Sequence, residues 1–149
     1  STFYVRIPNN LSKIISSIEN EQSSVSIQPI LTKYKILIAE DDETSFYFLK
    51  EVLKDIADDI IHAKDGIEAV EMAKKHSDTD IILMDIKMPK LNGFEATKQI
   101  RSFNTKVFII AQTAYAQDSY KAKVSEAGCD AYISKPIDKQ KLLDIISKC

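Results

Sequence analysis

The sequence predicts an α/β fold in which five parallel strands form a doubly wound sheet with helices on both faces. Two observations predict this class. From residue 34 onward, short apolar runs alternate regularly with amphipathic stretches, as they do in repeated βα units. The apolar runs are also continuous instead of alternating, which is typical of strands buried on both faces. The 149 residues suffice for one such domain and a shorter additional segment.

The elements follow in five units, each a strand and then a helix. The strands are predicted at residues 35–39, 59–63, 81–85, 107–111 and 131–135. The helices are predicted near residues 44–56, 66–75, 93–103, 117–127 and 138–148. In the last helix, Asp138 is a suitable N-cap, and Leu142, Ile145 and Ile146 lie on one face. These units predict a five-stranded, doubly wound parallel sheet with helices on both faces.

The first 33 residues have a different composition. Residues 1–8, STFYVRIP, are interpreted as one β-strand that ends at a proline. Residues 9–33 are rich in Ser, Asn and Gln and are interpreted as a linker, so the main domain is predicted over residues 34–149. Apolar residues at helical spacing predict a short amphipathic helix inside the linker: Leu11, Ile14, Ile15 and Ile18. Such a helix needs a partner surface, so a packed helix, a connector fragment and an unstructured segment all remain open.

Composition and charge disfavour several classes of function. The 20 basic and 22 acidic residues are interspersed and leave a net charge of -2, which disfavours binding to nucleic acid or to an anionic membrane. No apolar run approaches the ~18 residues of a membrane span. Cys129 and Cys149 form no CxxC pair and lie far from His62 and His76, so we interpret the cysteines as free thiols and the histidines as incidental. We expect this segment in the cytoplasm, although a longer parent chain could still be anchored in the inner membrane.

Charged and polar residues stand where the predicted strands end. They are Glu40, Asp41 and Asp42 after the first strand, Asp85 at the end of the third, Gln112 and Thr113 after the fourth, and Lys135 at the end of the fifth. Ligands of open parallel sheets bind at the carboxyl ends of the strands. If the first, third, fourth and fifth strands are neighbours, these side chains meet at one edge of the sheet.

The residue types at this edge point to phosphoryl chemistry. Two carboxylates 4 Å apart repel by roughly 4 kcal/mol at an effective dielectric constant near 20, so the cluster must protonate or bind a cation. Oxygen ligands without His or Cys suit Mg²⁺ or Mn²⁺. The hydroxyl of Thr113 and the ammonium of Lys135 are suitable neighbours for a phosphoryl oxygen. Asp85, at the centre of the edge, becomes the candidate nucleophile, because carboxylates form aspartyl phosphates.

Four segments in order carry a resemblance to a known family. They are AEDDE, LMDIKMPKLNG, IIAQTA and YISKP, with 44 residues from Asp41 to Asp85, 28 from Asp85 to Thr113 and 22 from Thr113 to Lys135. At these residues the chain resembles the response-regulator receiver domain of two-component signalling. The resemblance covers about residues 34–148. It implies a flavodoxin-like sheet with strand order 2-1-3-4-5. Each motif alone is weak, but the ordered set is specific.

The resemblance implies a role for each matching residue. Asp85 would accept the phosphoryl group, Asp41 would bind Mg²⁺ directly, and Glu40 would act on the metal mainly through water. The backbone carbonyl of Lys87 would be a further metal ligand. Thr113 and Lys135 would contact the phosphoryl group, and Tyr132 matches the aromatic residue that turns inward when Thr113 moves. The Lys135–Pro136 bond is expected to be cis. Asp42 is expected to face solvent or to help cap the helix that begins near Thr44, and not to bind metal.

A second, shorter resemblance concerns the parent chain. STFYVRIP resembles the last strand of the histidine-kinase ATP-binding domain, whose glycine-rich motif is commonly followed by Ser-Thr-Phe. The parent would then be a hybrid sensor kinase, and the linker would make phosphotransfer intramolecular. Expected partners are a histidine kinase phosphohistidine domain, in the same chain or another, and a histidine phosphotransfer protein. A homodimer through the face of residues 117–148 is a further expectation, as is a receiver that catalyses its own phosphorylation and dephosphorylation.

Three other functions remain open. A haloacid-dehalogenase-like phosphatase or phosphotransferase also uses an aspartyl nucleophile, but it requires a second Asp two residues later, where this chain has Lys87. A flavodoxin-like cofactor binder needs backbone N–H groups and small residues after the first strand, where this chain has AEDDETS. A degenerate receiver that serves only for docking is the third alternative.

Overall fold

Strands and helices alternate along the part of the chain that the structure, a computed structural model, describes, namely residues 33–114 and 118–149. The strands are β1 (Tyr34–Ala39), β2 (Ala57–Ala63), β3 (Ile81–Asp85), β4 (Phe108–Thr113) and β5 (Ala131–Ser134). The helices are α1 (Glu43–Leu53), α2 (Gly66–Lys75), α3 (Gly93–Arg101), α4 (Asp118–Ala127) and α5 (Lys139–Ile146). The predicted strand at 1–8 and the amphipathic pattern at 11–18 lie outside the described residues.

All neighbouring strands pair in parallel, and their order is β2-β1-β3-β4-β5. This confirms the predicted doubly wound sheet. The central strand β3 is buried along its whole length, as its continuous apolar run indicates. The edge strand β2 begins at Ala57, two residues earlier than predicted, and carries exposed Asp58 and Asp59. An edge strand is not enclosed on all sides, so its first residues need not be apolar.

Two helical layers cover the sheet, because successive residues of each strand face opposite sides. On one face, α1 and α5 pack against Ile36, Ile38, Ile81, Leu83 and Ile110. On the other face, α2 and α3 pack against Leu37, Ala39, Ile82, Met84 and Ile109. By the same alternation, Asp85 and Gln112 continue the face that α1 and α5 cover. The carboxyl ends of the central strands therefore lead directly toward the start of α1.

Four helices begin at an Asp or Asn whose side chain accepts a hydrogen bond from a backbone N–H three residues later. These N-caps are Asp42, Asp65, Asn92 and Asp138, with oxygen to nitrogen distances of 2.8, 2.8, 3.0 and 3.1 Å. An N-cap satisfies one of the backbone donors that a helix start leaves unpaired. The capping roles predicted for Asp42 and Asp138 are confirmed. Each cap fixes the turn between a strand end and the next helix, where the predicted site lies.

Arg101, the last residue of α3, joins the segments that precede β4 and β5. Its Nε donates to the carbonyl of Gly128 at 2.8 Å, and its Nη1 donates to the carbonyl of Val107 at 2.7 Å. Its Nη2 donates to the carboxylate of Asp130 at 2.6 Å. Gly128 has a φ of 104°, which glycine adopts without steric cost. This network sets the starting points of β4, which ends at Thr113, and of β5, which leads into Lys135.

Two expectations from composition can be compared with the structure. No helix in the described ranges is both long enough and apolar enough to cross a bilayer. No disulfide joins Cys129 to Cys149. Burial raises the pKa of the Cys129 thiol to about 11. Because thiolates are the reactive form, Cys129 is an inert packing residue.

Candidate functional site

Three carboxylates meet at the carboxyl ends of β1 and β3. Glu40, Asp41 and Asp85 each offer an oxygen, and these oxygens lie within 4.8 Å of one another. Glu40 is 0% exposed and Asp85 is 3% exposed, whereas Asp41 is open to solvent. Since β1 and β3 are adjacent, strand order alone brings these residues together. The cluster thus has a buried wall and one open side.

Lys135 contacts two of the three carboxylates. Its Nζ lies 3.2 Å from Glu40 Oε2 and 3.1 Å from Asp85 Oδ2. Its backbone N–H donates to the carbonyl of Thr113 at 2.8 Å. The Lys135–Pro136 peptide bond is cis. The ammonium thus reaches the cluster from the residue after β5, two strands away from β3.

One ammonium does not balance the charge of this cluster. The pKa of Glu40 is raised from 4.5 to about 7, mainly by burial. This is a net effect, in which the charge of Asp85 also raises the pKa, whereas the Asp42 N–H and Lys135 lower it. Burial lowers the pKa of Lys135, but its hydrogen bond to Asp85 and the charges of Asp85 and Glu40 outweigh that effect and raise it overall. The cluster therefore has a deficit of positive charge at neutral pH. An all-oxygen donor set with this deficit fits Mg²⁺ or Mn²⁺.

The turn after β3 folds back onto the backbone of Asp85. The N–H of Lys87 donates to Asp85 Oδ1 at 3.1 Å, and the N–H of Gly93 donates to the carbonyl of Ile86 at 2.9 Å. A Cβ on residue 93 would lie 2.3 Å from the carbonyl oxygen of Asp85, so only glycine permits this approach. The Asn92 cap then starts α3. MPKLNG thus encodes a turn that closes around the acid at the end of the strand.

Thr113 and Asp85 line a small cavity. It has a volume of about 50 Å³, and Lys87, Tyr120 and Lys135 contribute to its wall. Sites for drug-sized ligands and cofactors occupy roughly 300–1,000 Å³. The cavity therefore suits a small anionic group and not a nucleotide or flavin.

The predicted switch residue Tyr132 lies on β5, on the side that α4 covers. Its half-buried ring packs against Ile86, Ala111 and Val124. Lys121 Nζ lies 5.8 Å from the centre of the ring. Tyr132 is thus separate from the carboxylate cluster and adjacent to the helix that precedes its strand.

Two residues beside the cluster have contacts or surroundings that sequence reasoning did not predict, since it interpreted His62 as incidental and gave Gln112 a place at the edge but no role. The Nε2–H of His62 donates to the carbonyl of Glu40 at 2.8 Å, and its ring stacks on Phe46. Gln112, which is 1% exposed, has neither amide atom hydrogen-bonded within the described residues. A side chain that binds a backbone carbonyl 22 residues away leaves no motif. Only the position of His62 at a strand end next to the acidic residues could have indicated its contact.

Comparison of the sequence with models of known protein families gives a match over most of the chain. Residues 36–147 match the model of the response regulator receiver domain. The chain belongs to this family. It is a receiver domain of two-component signalling, as the ordered motifs predict. The matched range spans β1 to α5 and contains every residue of the cluster and the cavity.

Individual relatives agree with this assignment. The receiver is 38% identical over 113 residues to the chemotaxis protein CheY of Halobacterium salinarum, covering 76% of this chain and 93% of CheY. It is 32% identical, with a TM-score of 0.74, to a chain of the Saccharomyces cerevisiae complex between the histidine phosphotransfer protein Ypd1 and the Ssk1 receiver domain, covering 79% and 89% of the two chains. It is 31% identical, with a TM-score of 0.70, to the receiver domain of a Pseudomonas aeruginosa sensor histidine kinase with magnesium in its active-site cleft, covering 78% and 97%.

Proposed function

We propose that the receiver takes a phosphoryl group from a phosphohistidine onto the carboxylate of Asp85. The observation that carries this proposal is the environment of that carboxylate. It is buried at the end of β3, it lies 3.1 Å from Lys135 Nζ, and it shares the cluster with Glu40 and Asp41. The cavity beside it has room for a small anionic group.

The transfer requires little covalent machinery. An Asp85 oxygen attacks the phosphorus, a P–O bond forms, and the P–N bond of the phosphohistidine breaks with its electron pair left on the imidazole nitrogen. Catalysis of such transfers consists mainly of positioning and charge stabilisation. Lys135 and the hydroxyl of Thr113 would face the phosphoryl oxygens, because both line the cavity with Asp85. No general base is needed, since Asp85 is a carboxylate nucleophile.

The cluster would hold one divalent cation, Mg²⁺ or Mn²⁺. Its ligands would be Asp41 and Asp85 directly, Glu40 mainly through water, and the backbone carbonyl of Lys87. When bound, the ion neutralises carboxylate and phosphoryl charge. The magnesium in the Pseudomonas aeruginosa receiver supports this assignment.

The phosphoryl donor would be a histidine kinase or a histidine phosphotransfer protein. The similarity to a chain of the complex between Ypd1 and the Ssk1 receiver supports a donor of this class. We further propose that the parent chain is a hybrid sensor kinase, on the resemblance of STFYVRIP to the end of a kinase ATP-binding domain. The domain then works in the cytoplasm, and Tyr132 follows Thr113 when Asp85 is phosphorylated. A homodimer through residues 117–148 stays a prediction.

The direct test uses Mg²⁺ with acetyl phosphate, which transfers its phosphoryl group and releases acetate. Intact-mass spectrometry of the native chain should show one added phosphoryl group, and chelation of Mg²⁺ should abolish it. Asp85→Asn should show none, whereas Asp58→Asn, at an exposed carboxylate on β2, should match the native chain. An unmodified native chain, or equal modification of Asp85→Asn, would refute the proposal.

Phosphotransfer from purified donors then tests the partner class. Native receiver should gain a radiolabelled phosphoryl group from a phosphorylated kinase or phosphotransfer protein, with matching loss from the donor. Labelling by acetyl phosphate but by no phosphohistidine donor would contradict the proposed donor class and leave the acceptor role of Asp85 intact.

A further inference from the structure

Residues at the end of β2 form hydrogen bonds with both the backbone N–H and the backbone carbonyl of Glu40. The Glu40 N–H donates to the carbonyl of Ala63 at 2.9 Å, and the Glu40 carbonyl lies 2.8 Å from His62 Nε2. The strand pairing between β1 and β2 ends one residue earlier, at Ala39 and Ala63. The His62 side chain therefore adds a hydrogen bond between β2 and the chain after β1, beyond the last paired residue of β1.

The orientation of the His62 ring is fixed from a second direction. It stacks on Phe46 of α1 with ring centres 3.7 Å apart and planes 8° from parallel. Phe46 is itself 8% exposed. Because a carbonyl oxygen only accepts, Nε2 must carry the proton in this contact. The imidazole thus connects an edge strand, a helix and the residue that opens the acidic segment.

The acidic segment, Glu40 to Asp42, is held at both ends. His62 and Ala63 fix its first residue, and the Asp42 side chain, capping α1 at Ser45, fixes its last. Within it, the N–H of Asp42 donates to Glu40 Oε1 at 3.1 Å. The backbone of Asp41 lies between these two fixed residues, which limit the conformations that it can adopt.

We infer that His62 is a positioning residue for the Mg²⁺ site, because it fixes the backbone from which Glu40 and Asp41 reach toward Asp85. The inference rests on the proposed function, which places Mg²⁺ in this cluster. His62 touches neither the ion nor the phosphoryl group in this role. It acts by restricting the acidic segment before the ion binds, so that the segment loses less conformational entropy on binding.

Loss of the hydrogen bond should weaken Mg²⁺ binding by about tenfold, the lower end of the range for partners that orient metal ligands. Gln and Asn supply a matched pair of substitutions. The amide nitrogen of Gln stands about where Nε2 stands in His, and that of Asn is one methylene too short. Both variants lose the stacking on Phe46, so their difference isolates the hydrogen bond.

The experiment measures the Mg²⁺ dissociation constant by calorimetry for the native chain, His62→Gln, His62→Asn and a control, His76→Asn. His76 follows α2, at the opposite end of the sheet. We expect native-like binding in His62→Gln and in His76→Asn, and about tenfold weaker binding in His62→Asn. Thermal unfolding followed by circular dichroism shows whether each variant is folded. A merely structural role would lower stability in both His62 variants without separating their dissociation constants.

A second readout needs no metal. Amide hydrogen exchange at residues 40–42 of the metal-free chain should be faster in His62→Asn than in His62→Gln, with little change in β5. Equal Mg²⁺ affinity and equal exchange in the two folded variants would overturn the inference while leaving the proposed function standing. Failure of the native chain to bind Mg²⁺ would instead overturn the proposed function. If His62→Asn does not fold, His62→Phe replaces it, because Phe keeps a ring but has no hydrogen-bond donor. Mg²⁺ binding weakened equally in His62→Gln and His62→Phe would then overturn the inference.

Discussion

Mg²⁺ binding should release a proton from Glu40, and the amount released can be worked from the structure. Burial, followed in the same direction by the charge of Asp85, raises the pKa of Glu40 to about 7 against the opposing effects of the Asp42 N–H and Lys135. Without metal, Glu40 is then protonated in about 0.9 of the molecules at pH 6, about 0.5 at pH 7 and about 0.1 at pH 8. Since the ion favours the ionised cluster, its binding must displace that proton.

The sign and size of the pH effect follow from this occupancy. The apparent dissociation constant of Mg²⁺ should fall as pH rises through 7 and level off above it. It should be about tenfold weaker at pH 6 than at pH 8. A glutamate with the ordinary pKa of 4.5 would change the dissociation constant by only about 3% between pH 6 and pH 8.

Calorimetry in two buffers with different ionisation enthalpies counts the protons released for each Mg²⁺ bound. The native chain should release about half a proton at pH 7. Glu40→Gln should remove this release, whereas Glu43→Gln, at the exposed glutamate that opens α1, should keep it. Mg²⁺ binding without proton release at pH 7 would refute the reasoning. Release that persists in Glu40→Gln would show that Glu40 is not the source of the proton.

Three further predictions concern the free energy of unfolding, measured by urea denaturation followed by circular dichroism. Gly93→Ala should lower it by about 1–3 kcal/mol, because the new Cβ would lie 2.3 Å from the carbonyl oxygen of Asp85; an unchanged midpoint would contradict that close approach. Gln112→Met should raise it by about 1–3 kcal/mol, because the buried amide has no hydrogen-bonding partner within the described residues; a loss of stability would show that the amide is satisfied in solution. Arg101→Ala should lower it by about 2–3 kcal/mol, because the side chain donates four charge-assisted hydrogen bonds. Lys98→Ala removes only an exposed ion pair and should cost no more than about 1 kcal/mol. Similar losses of stability in the two variants would contradict this difference.

The fold and most of the cluster could be predicted because their signals are local. Continuous apolar runs identify the central strands, and a residue at a strand's carboxyl end has its position fixed once the sheet is parallel. Glu40, Asp85 and Lys135 could be predicted as site residues for that reason. The interaction of Arg101 with Gly128 joins residues 27 apart through a carbonyl that any residue would offer. The contact of His62 with Glu40 is of the same kind, so neither leaves a pattern in the sequence.

The sharing of one ammonium explains how phosphorylation of Asp85 would affect more than the site itself. Lys135 lies at similar distances from Glu40 and Asp85, so its charge is divided between two carboxylates. A phosphoryl group adds up to about two negative charges on the Asp85 side, which shifts the balance of attraction away from Glu40. The backbone N–H of Lys135 also donates to the carbonyl of Thr113. A displacement of the lysine backbone would therefore move Thr113, which lines the same cavity as Asp85. The ends of β4 and β5 should therefore respond first, whereas β3, enclosed along its whole length, stays in place.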